Sequence, residues 1–290
     1  MTDWINKSIA GKGFFEPVRF SGFPEIKESF VSGHLPATFI LAPLAMALRQ
    51  QGVAIKIVYL GHRDGTAIMV HKDSSIRSFR DLRGKVVAIP NRFSNQFLIL
   101  FKGLRDSGLS INDVKILEMP PPDMPAALYS RSVDAISSGE PWMAKSEMEG
   151  YGRVLYQAKD IWPNFISCVL AVNEQEIRNS PEWVQQLVDG IASSGHWLED
   201  SIDHRMEAAE VVARDYYNQA PALLSYVLST PPDRVTYSNL ELSRKDFEQI
   251  ERLALEAGLL DGPLAFEEYT DASFSNNSRA KSSAPWEPPK

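Results

Sequence analysis

The sequence predicts an α/β fold in two lobes, and three observations carry that prediction. Short apolar runs of strand length alternate with amphipathic runs of helix length from about residue 37 to residue 157, the texture of a helix-covered parallel sheet. After about residue 173 the texture turns mostly helical, which marks a second kind of packing. The chain has 290 residues, 44 % of them hydrophobic, enough to bury one large core or two modest ones.

The elements follow in order. Residues 1–13 are short of apolar positions and read as a lead-in, with Phe14-Phe15 as the approach to a first strand and Val18-Arg19-Phe20 as its body. Pro24 to Ser32 has Ile26, Phe30 and Val31 at helical spacing and stops at Gly33. Ala37 to Leu41 is a buried strand, Pro43 to Gln51 a helix and Ile55 to Leu60 the next strand. Thr66 to His71 is a strand, Ser78 to Gly84 a short helix and Lys85 to Pro90 a strand. A longer helix runs from about Ser94 to Asp106, with Phe97, Leu98, Phe101 and Leu104 on its apolar side. Val114 to Met119 is a strand, Pro120-Pro121-Pro122 a stiff connector, and Met124 to Arg131 a helix before the strand Val133 to Ile136. Ser167 to Val172 is the last strand expected. Three helices follow, from Ser180, from about His204 and from Ser243; Ser180 has N-cap chemistry and Ser243-Arg244-Lys245-Asp246 a capping-box pattern. Residues 273–290 are rich in Ser, Asn, Lys and Pro and are expected to be disordered.

A formal charge of -7 with scattered Lys and Arg excludes a nucleic-acid partner, because phosphate backbones select clustered basic surface. No apolar run is long enough to span a bilayer. The single Cys168, set among Ile166, Val169 and Leu170, reads as a structural cysteine, and no disulfide or thiolate cluster is available. The five histidines lack close metal-ligand spacing except for His62-Arg63-Asp64 with His71, which reads as a polar surface loop, and no phosphate-binding loop, serine elbow or zinc-protease helix is present. The expectation is therefore no catalytic residue, no metal and no cofactor.

Binding chemistry centres on Ser137-Ser138-Gly139-Glu140-Pro141-Trp142, a strand-to-helix turn with Pro141 expected at the first helical position. Such a turn offers free backbone N–H groups at the positive end of a helix, and Gly139 permits close approach. Glu140 there is a weak base, since the helix field lowers its pKa; it suits a ligand proton or a cation. Two further strand-end loops are Leu41-Ala42-Pro43 and Arg92-Phe93-Ser94-Asn95, the second with hydroxyl and amide donors and a guanidinium for an oxyanion. Trp142 and Trp162 are candidate walls that exclude water.

Three stretches carry a family resemblance. Ser32-Gly33-His34-Leu35-Pro36-Ala37-Thr38-Phe39-Ile40-Leu41-Ala42-Pro43-Leu44-Ala45-Met46-Ala47-Leu48, Phe79-Arg80-Asp81-Leu82-Arg83-Gly84-Lys85-Val86-Val87-Ala88, and Val133 through Trp142 resemble substrate-binding proteins of nitrate/sulfonate/taurine-type ABC importers. The Gly-Glu-Pro-Trp turn followed by Asp160-Ile161-Trp162-Pro163 is most similar to the nitrate- and bicarbonate-binding branch. The resemblance implies a type II periplasmic-binding-protein-like fold. Residues 14–70 and 165–265 would form lobe one, residues 71–164 lobe two, and Thr66 to His71 and Ser167 to Val172 the crossing strands. It implies a monomer that captures a small anionic solute and delivers it to an ABC permease, with Gly139, Glu140 and Trp142 lining the cleft from lobe two. Family members usually begin with a signal peptide and a first strand, and Ala10 to Phe15 resembles the helix after it. A late start is thus expected, with a periplasmic or cell-surface location if a signal peptide precedes this chain and a cytoplasmic one otherwise. A cytoplasmic anion sensor and an enzyme of thiamin-pyrimidine or menaquinone type are the alternatives on this fold.

Overall fold

The structure, a computed structural model, describes residues 15–217 and 219–279. Two sheets organise it. The first has strand order β1-β8-β2-β9 and the second β5-β4-β6-β3-β7. The strands are β1 (Ala37–Ile40), β2 (Ile55–Asp64), β3 (Thr66–His71), β4 (Val86–Ile89), β5 (Lys115–Glu118), β6 (Ala135–Gly139), β7 (Gly152–Gln157), β8 (Ile166–Asn173) and β9 (Val235–Thr236). Helices α1 (Phe23–Val31), α2 (Ala42–Gln50), α3 (Asn95–Asp106), α4 (Met124–Tyr129), α5 (Trp142–Met148) and α6 (Ala158–Ile161) fill the first part of the chain. Then come α7 (Glu174–Asn179), α8 (Pro181–Asp200), α9 (Ile202–Val212), α10 (Pro221–Ser229), α11 (Arg244–Glu256), α12 (Phe266–Tyr269) and α13 (Ser273–Asn276).

Local chemistry explains the helix starts and stops that matter for the site. Ser94 caps α3: its Oγ accepts the Phe97 N–H at 3.0 Å, which satisfies one of the donors that a helix start leaves over. Gly84 sits at φ +74 after the short turn Phe79–Leu82, a conformation that a side chain would strain, and lets β4 begin at once. The core is continuous across both sheets, with Ile40, Met46, Ile57, Leu60, Ile68, Phe97, Phe165 and Phe247 all buried in one cluster.

Several expectations need correction. The first sheet is antiparallel, because β8 returns from the second sheet and inserts between β1 and β2, pairing antiparallel with both. In the second sheet only β4 with β5 and β4 with β6 are parallel. Neither expected crossing strand crosses between lobes: Thr66–His71 lies wholly in the second sheet, which therefore starts at Thr66 and not at residue 71, and Ser167–Val172 lies wholly in the first. Val18-Arg19-Phe20 forms no strand: Phe15 packs its ring on Trp183 at 5.4 Å and Val18 stays exposed, so this stretch is drawn onto α8. Pro141 is the N-cap of α5, one position earlier than expected. Ser243 makes no side-chain cap; the Asp246 carboxylate that a capping box needs is taken by Arg63 at 2.8 Å. Residues 273–279 are ordered, with Phe274 and Ser275 buried in α13. The lead-in 1–13, Phe14 and residues 280–290 lie outside the described residues.

A candidate ligand site where the two lobes meet

The chain passes between the sheets twice, from β2 to β3 through Gly65 and from β7 to β8 through residues 158–165. Each crossing contains one non-glycine residue in the left-handed region, Asp64 at φ 59 and Asn164 at φ 61, residue types whose short polar side chains tolerate it. The crossings touch: the Asp64 N–H donates to the Phe165 carbonyl at 3.0 Å.

Helix α3 clamps both. Asn95 donates its side-chain amide to the Ile166 carbonyl, while Gln96 donates to Thr66 Oγ1 at 3.2 Å. Because β4 and β6 are parallel neighbours, the start of α3 and the end of β6 lie side by side. Ser137 Oγ donates to the Gln96 carbonyl at 2.9 Å and fixes that arrangement. Gly139 leaves a space there: a Cβ would stand 3.6 Å from the Gly65 carbonyl, 3.8 Å from Thr66 Oγ1 and 3.9 Å from Gln96 Nε2.

Four buried side-chain oxygens of residues at or next to this junction have no partner among the described residues: Asp64 Oδ1, Asn95 Oδ1 and Gln96 Oε1, and Ser138 Oγ on the opposite face of β6 from Ser137. Asn95 and Ser138 are fully buried and Gln96 is 4 % exposed. Buried polar atoms are nearly always satisfied, so these oxygens stand out within the fold. Burial pushes the Asp64 carboxyl above its ordinary range, with the Thr236 hydroxyl and Lys159 working the other way.

Glu140 is committed within the fold. Its Oε1 accepts from Arg234 at 2.7 Å and its Oε2 accepts the Ala144 N–H at 2.8 Å. The anion at the start of α5 is thus the chain's own carboxylate. Burial raises the Glu140 pKa in spite of Arg234 and that N–H, the reverse of the lowering expected from the helix field alone, because loss of water outweighs a dipole at the end of a seven-residue helix. Of its two suggested uses, partnering a cation is the one seen. Arg234 also reaches Glu147 at 2.7 Å, and its backbone carbonyl accepts the Gly65 N–H, so the 230–236 loop joins the crossing to α5.

The model of the NMT1-like family matches residues 5–213. This chain belongs to the NMT1-like family. Its relatives include a putative aliphatic sulfonates-binding protein of Escherichia coli, 25 % identical over 78 % of this chain and 70 % of that protein. The nitrate import ATP-binding protein NrtC of Synechocystis is 25 % identical over 60 % of this chain. The chain spans only 28 % of that protein's length. Among solved structures, a ligand-binding component of an ABC-type import system from Staphylococcus aureus superposes with a TM-score of 0.84 at 23 % identity, covering 96 % of this chain and 94 % of that one. The periplasmic nitrate-binding protein NrtA from Synechocystis gives 0.86 at 12 % identity over 95 % and 82 %. The desulfurization enzyme DSZB shares the fold at a TM-score of 0.60 and 18 % identity, covering 84 % and 85 %. The fold is therefore that of the periplasmic binding proteins.

The other sequence candidates in this NMT1-like chain are spread out. Leu41, Ala42 and Pro43 are buried at the start of α2, with Leu41 and Ala42 in the main core cluster. Arg92 is exposed and turned to Glu118 at 3.4 Å, and Phe93 packs against the core. Trp142 packs against a second apolar cluster with Met143. Trp162 is 3 % exposed and edge-on to Phe165, a core residue with no open face. Cys168 is half-buried, its thiol pushed up to about 12 by burial, which leaves no thiolate for nucleophilic work. Among the described residues no group of three or more His, Cys, Asp or Glu is placed to hold a metal, and no helix is long and apolar enough to cross a membrane. Sequence reasoning did not single out Asp64, Thr66, Gln96 or Arg234. The available signal for Gln96 was its place beside Asn95, just before a run of four apolar residues, Phe97 to Leu100, all of which are buried.

Proposed function

We propose that this chain is the solute-binding component of an ABC importer. It captures a small oxyanion or organic acid, of the nitrate, nitrite, bicarbonate or sulfonate class, between its lobes at the Thr66–Gln96–Gly139 junction and delivers it to a membrane permease. The observation that carries the reading is the start of α3 beside the end of β6, where Gln96 reaches Thr66 and Gly139 presents backbone with no side chain. Helix α3, with twelve residues, directs the positive end of its dipole and its first N–H groups to the same place, which suits an anionic end of a ligand. The nitrate- and sulfonate-binding relatives support this class. No bond is made or broken; binding and closure of the lobes are the whole mechanism.

A thermal-shift screen with nitrate, nitrite, bicarbonate, taurine, alkanesulfonates and small carboxylates tests it. A ligand present at about a hundred times its Kd adds about 2.7 kcal/mol and raises the melting temperature by a few degrees. No shift with any of them overturns the reading.

A further inference from the structure

We infer that the two halves of the protein part along one flank only, between α5 and α10, and that Arg234 latches that flank shut before any solute arrives. This goes beyond the proposed solute-binding role and sets how its site is reached; the latch itself needs no solute.

The two flanks are built differently. On one, α3 lies against α11, and their buried residues, Phe97, Leu100 and Leu104 with Phe247, Ile250 and Leu253, belong to the core cluster that runs through both sheets. Arg105 pairs with Glu256 at the far end of that contact. Parting there would split the main core. On the other flank α10 lies against α5, and Ala144 of α5 meets Leu223, Val227 and Val235 in a small cluster of their own, separate from the main core. Parting here divides only that cluster, so relative motion takes this side and pivots on the other.

Arg234 closes the weaker side. Its backbone is held on the first-sheet half: β9, which follows it at once, pairs with β2. Arg205 of α9 gathers the Pro232 carbonyl at 2.7 Å and the Val235 carbonyl at 3.1 Å, while its Nε donates to the Leu198 carbonyl of α8 at 2.9 Å. From that anchor the Arg234 guanidinium crosses to the second-sheet half and reaches Glu140 and Glu147 at 2.7 Å each. Glu140 cannot follow it away, because its other oxygen accepts the Ala144 N–H of α5. The third guanidinium nitrogen, Nε, donates to the Thr230 carbonyl at 2.6 Å, and the Tyr226 ring lies 5.0 Å from the guanidinium carbon. Every nitrogen is thus engaged inside the protein, and water offers this cation little that the fold does not already supply. Two charge-assisted bonds and the apolar contact are lost on parting, whereas both carboxylates are met only while α5 and α10 stay together. The resting state is therefore the shut one, and a solute enters from the minor, released state.

Distances between nitroxide pairs in the full chain, with Cys168→Ala in the background and no solute present, test this. Labels on Met148→Cys and Glu207→Cys span the latch, and labels on Asn112→Cys and Arg252→Cys span the α3–α11 flank; all four positions are exposed. Each pair is expected to show a single population in the protein with its latch intact. Glu147→Lys sets a like charge opposite Arg234, and Leu223→Asp puts a charge into the small apolar cluster. Either change is expected to move about half or more of the 148–207 population to longer distance and to leave the 112–252 pair unmoved. An intact protein whose 148–207 distances are already mixed overturns the inference, as do folded variants that keep the intact distance or that move both pairs alike. The Glu147 side chain is 31 % exposed, so Glu147→Lys decides the matter should Leu223→Asp fail to fold. No solute enters these measurements: a solute screen without a hit leaves the latch standing, and an unlatched chain leaves the solute-binding role intact.

Discussion

Arg234 and Glu140 face each other across the lobes at 2.7 Å although 94 residues separate them in the chain. Both side chains are nearly sealed from water, at 3 % and 6 % exposure, so each depends on the other for its charge. Arg234→Ala is therefore expected to destabilise by about 3–5 kcal/mol, since it strands a buried carboxylate, while replacing both residues by Met recovers much of the loss. Urea unfolding of the two variants measures this, and a loss below about 1 kcal/mol for the single variant would count against the pair as a tie between lobes.

Gly139→Ala separates site from stability. The added Cβ meets its neighbours at ordinary contact distance, and Gly139 is not among the residues at positive φ, so the melting temperature should move little. The methyl group occupies the space between Gly65, Thr66 and Gln96, and affinity for whichever solute binds should fall about tenfold or more. Unchanged affinity would move the site elsewhere.

His62 should make the protein acid-sensitive. Burial holds its pKa below the ordinary 6.5, with a hydrogen bond to the Arg63 carbonyl opposing, so the folded state stays neutral where the unfolded chain takes up a proton. Unfolded chains then bind more protons below about pH 6.5, and stability falls as pH drops from there toward the folded pKa, by up to about 1.4 kcal/mol per unit. His62→Gln should flatten that slope. Identical slopes in the two proteins between pH 6.5 and 5 would refute the assignment.

Cys168 should resist alkylation. With its thiol near 12, about one molecule in ten thousand is a thiolate at pH 8, so iodoacetamide should label the native chain far more slowly than the urea-unfolded one. Equal rates would contradict the burial.

Gly103→Ala should reverse a usual sign. In an open helix the change gains about 1 kcal/mol, but here the new Cβ would run into the Phe79 ring, which stacks on Tyr156 at 4.5 Å. A loss of about 1–3 kcal/mol is expected in denaturant unfolding.

Periodicity made most elements legible, because apolar spacing alone sets which residues of Ala37–Ile40, Val86–Ile89 or Asn95–Asp106 turn inward. It could not show that β8 enters between β1 and β2, since a buried strand reads the same in either direction. The Gly139 turn was visible through its composition, but Arg234 was not: its partner lies in another lobe and nothing near it in sequence signals the contact. Trp162 was read as a cleft wall because tryptophan is amphipathic; the structure spends that ring on Phe165. Asp64 escaped notice because one of its carboxylate oxygens is left without a donor only in the assembled fold.

The left-handed residues Asp64 and Asn164 have a mechanical consequence. A body attached at one pliant point can turn about any axis; attached at two, it can turn only about the line through them. With the left-handed residues Asp64 and Gly65 in one crossing, Asn164 in the other and the clamps from α3 beyond them, the relative motion of the lobes is expected to reduce to a single angle. One distance between a label on each lobe is then a complete coordinate for the opening of this protein.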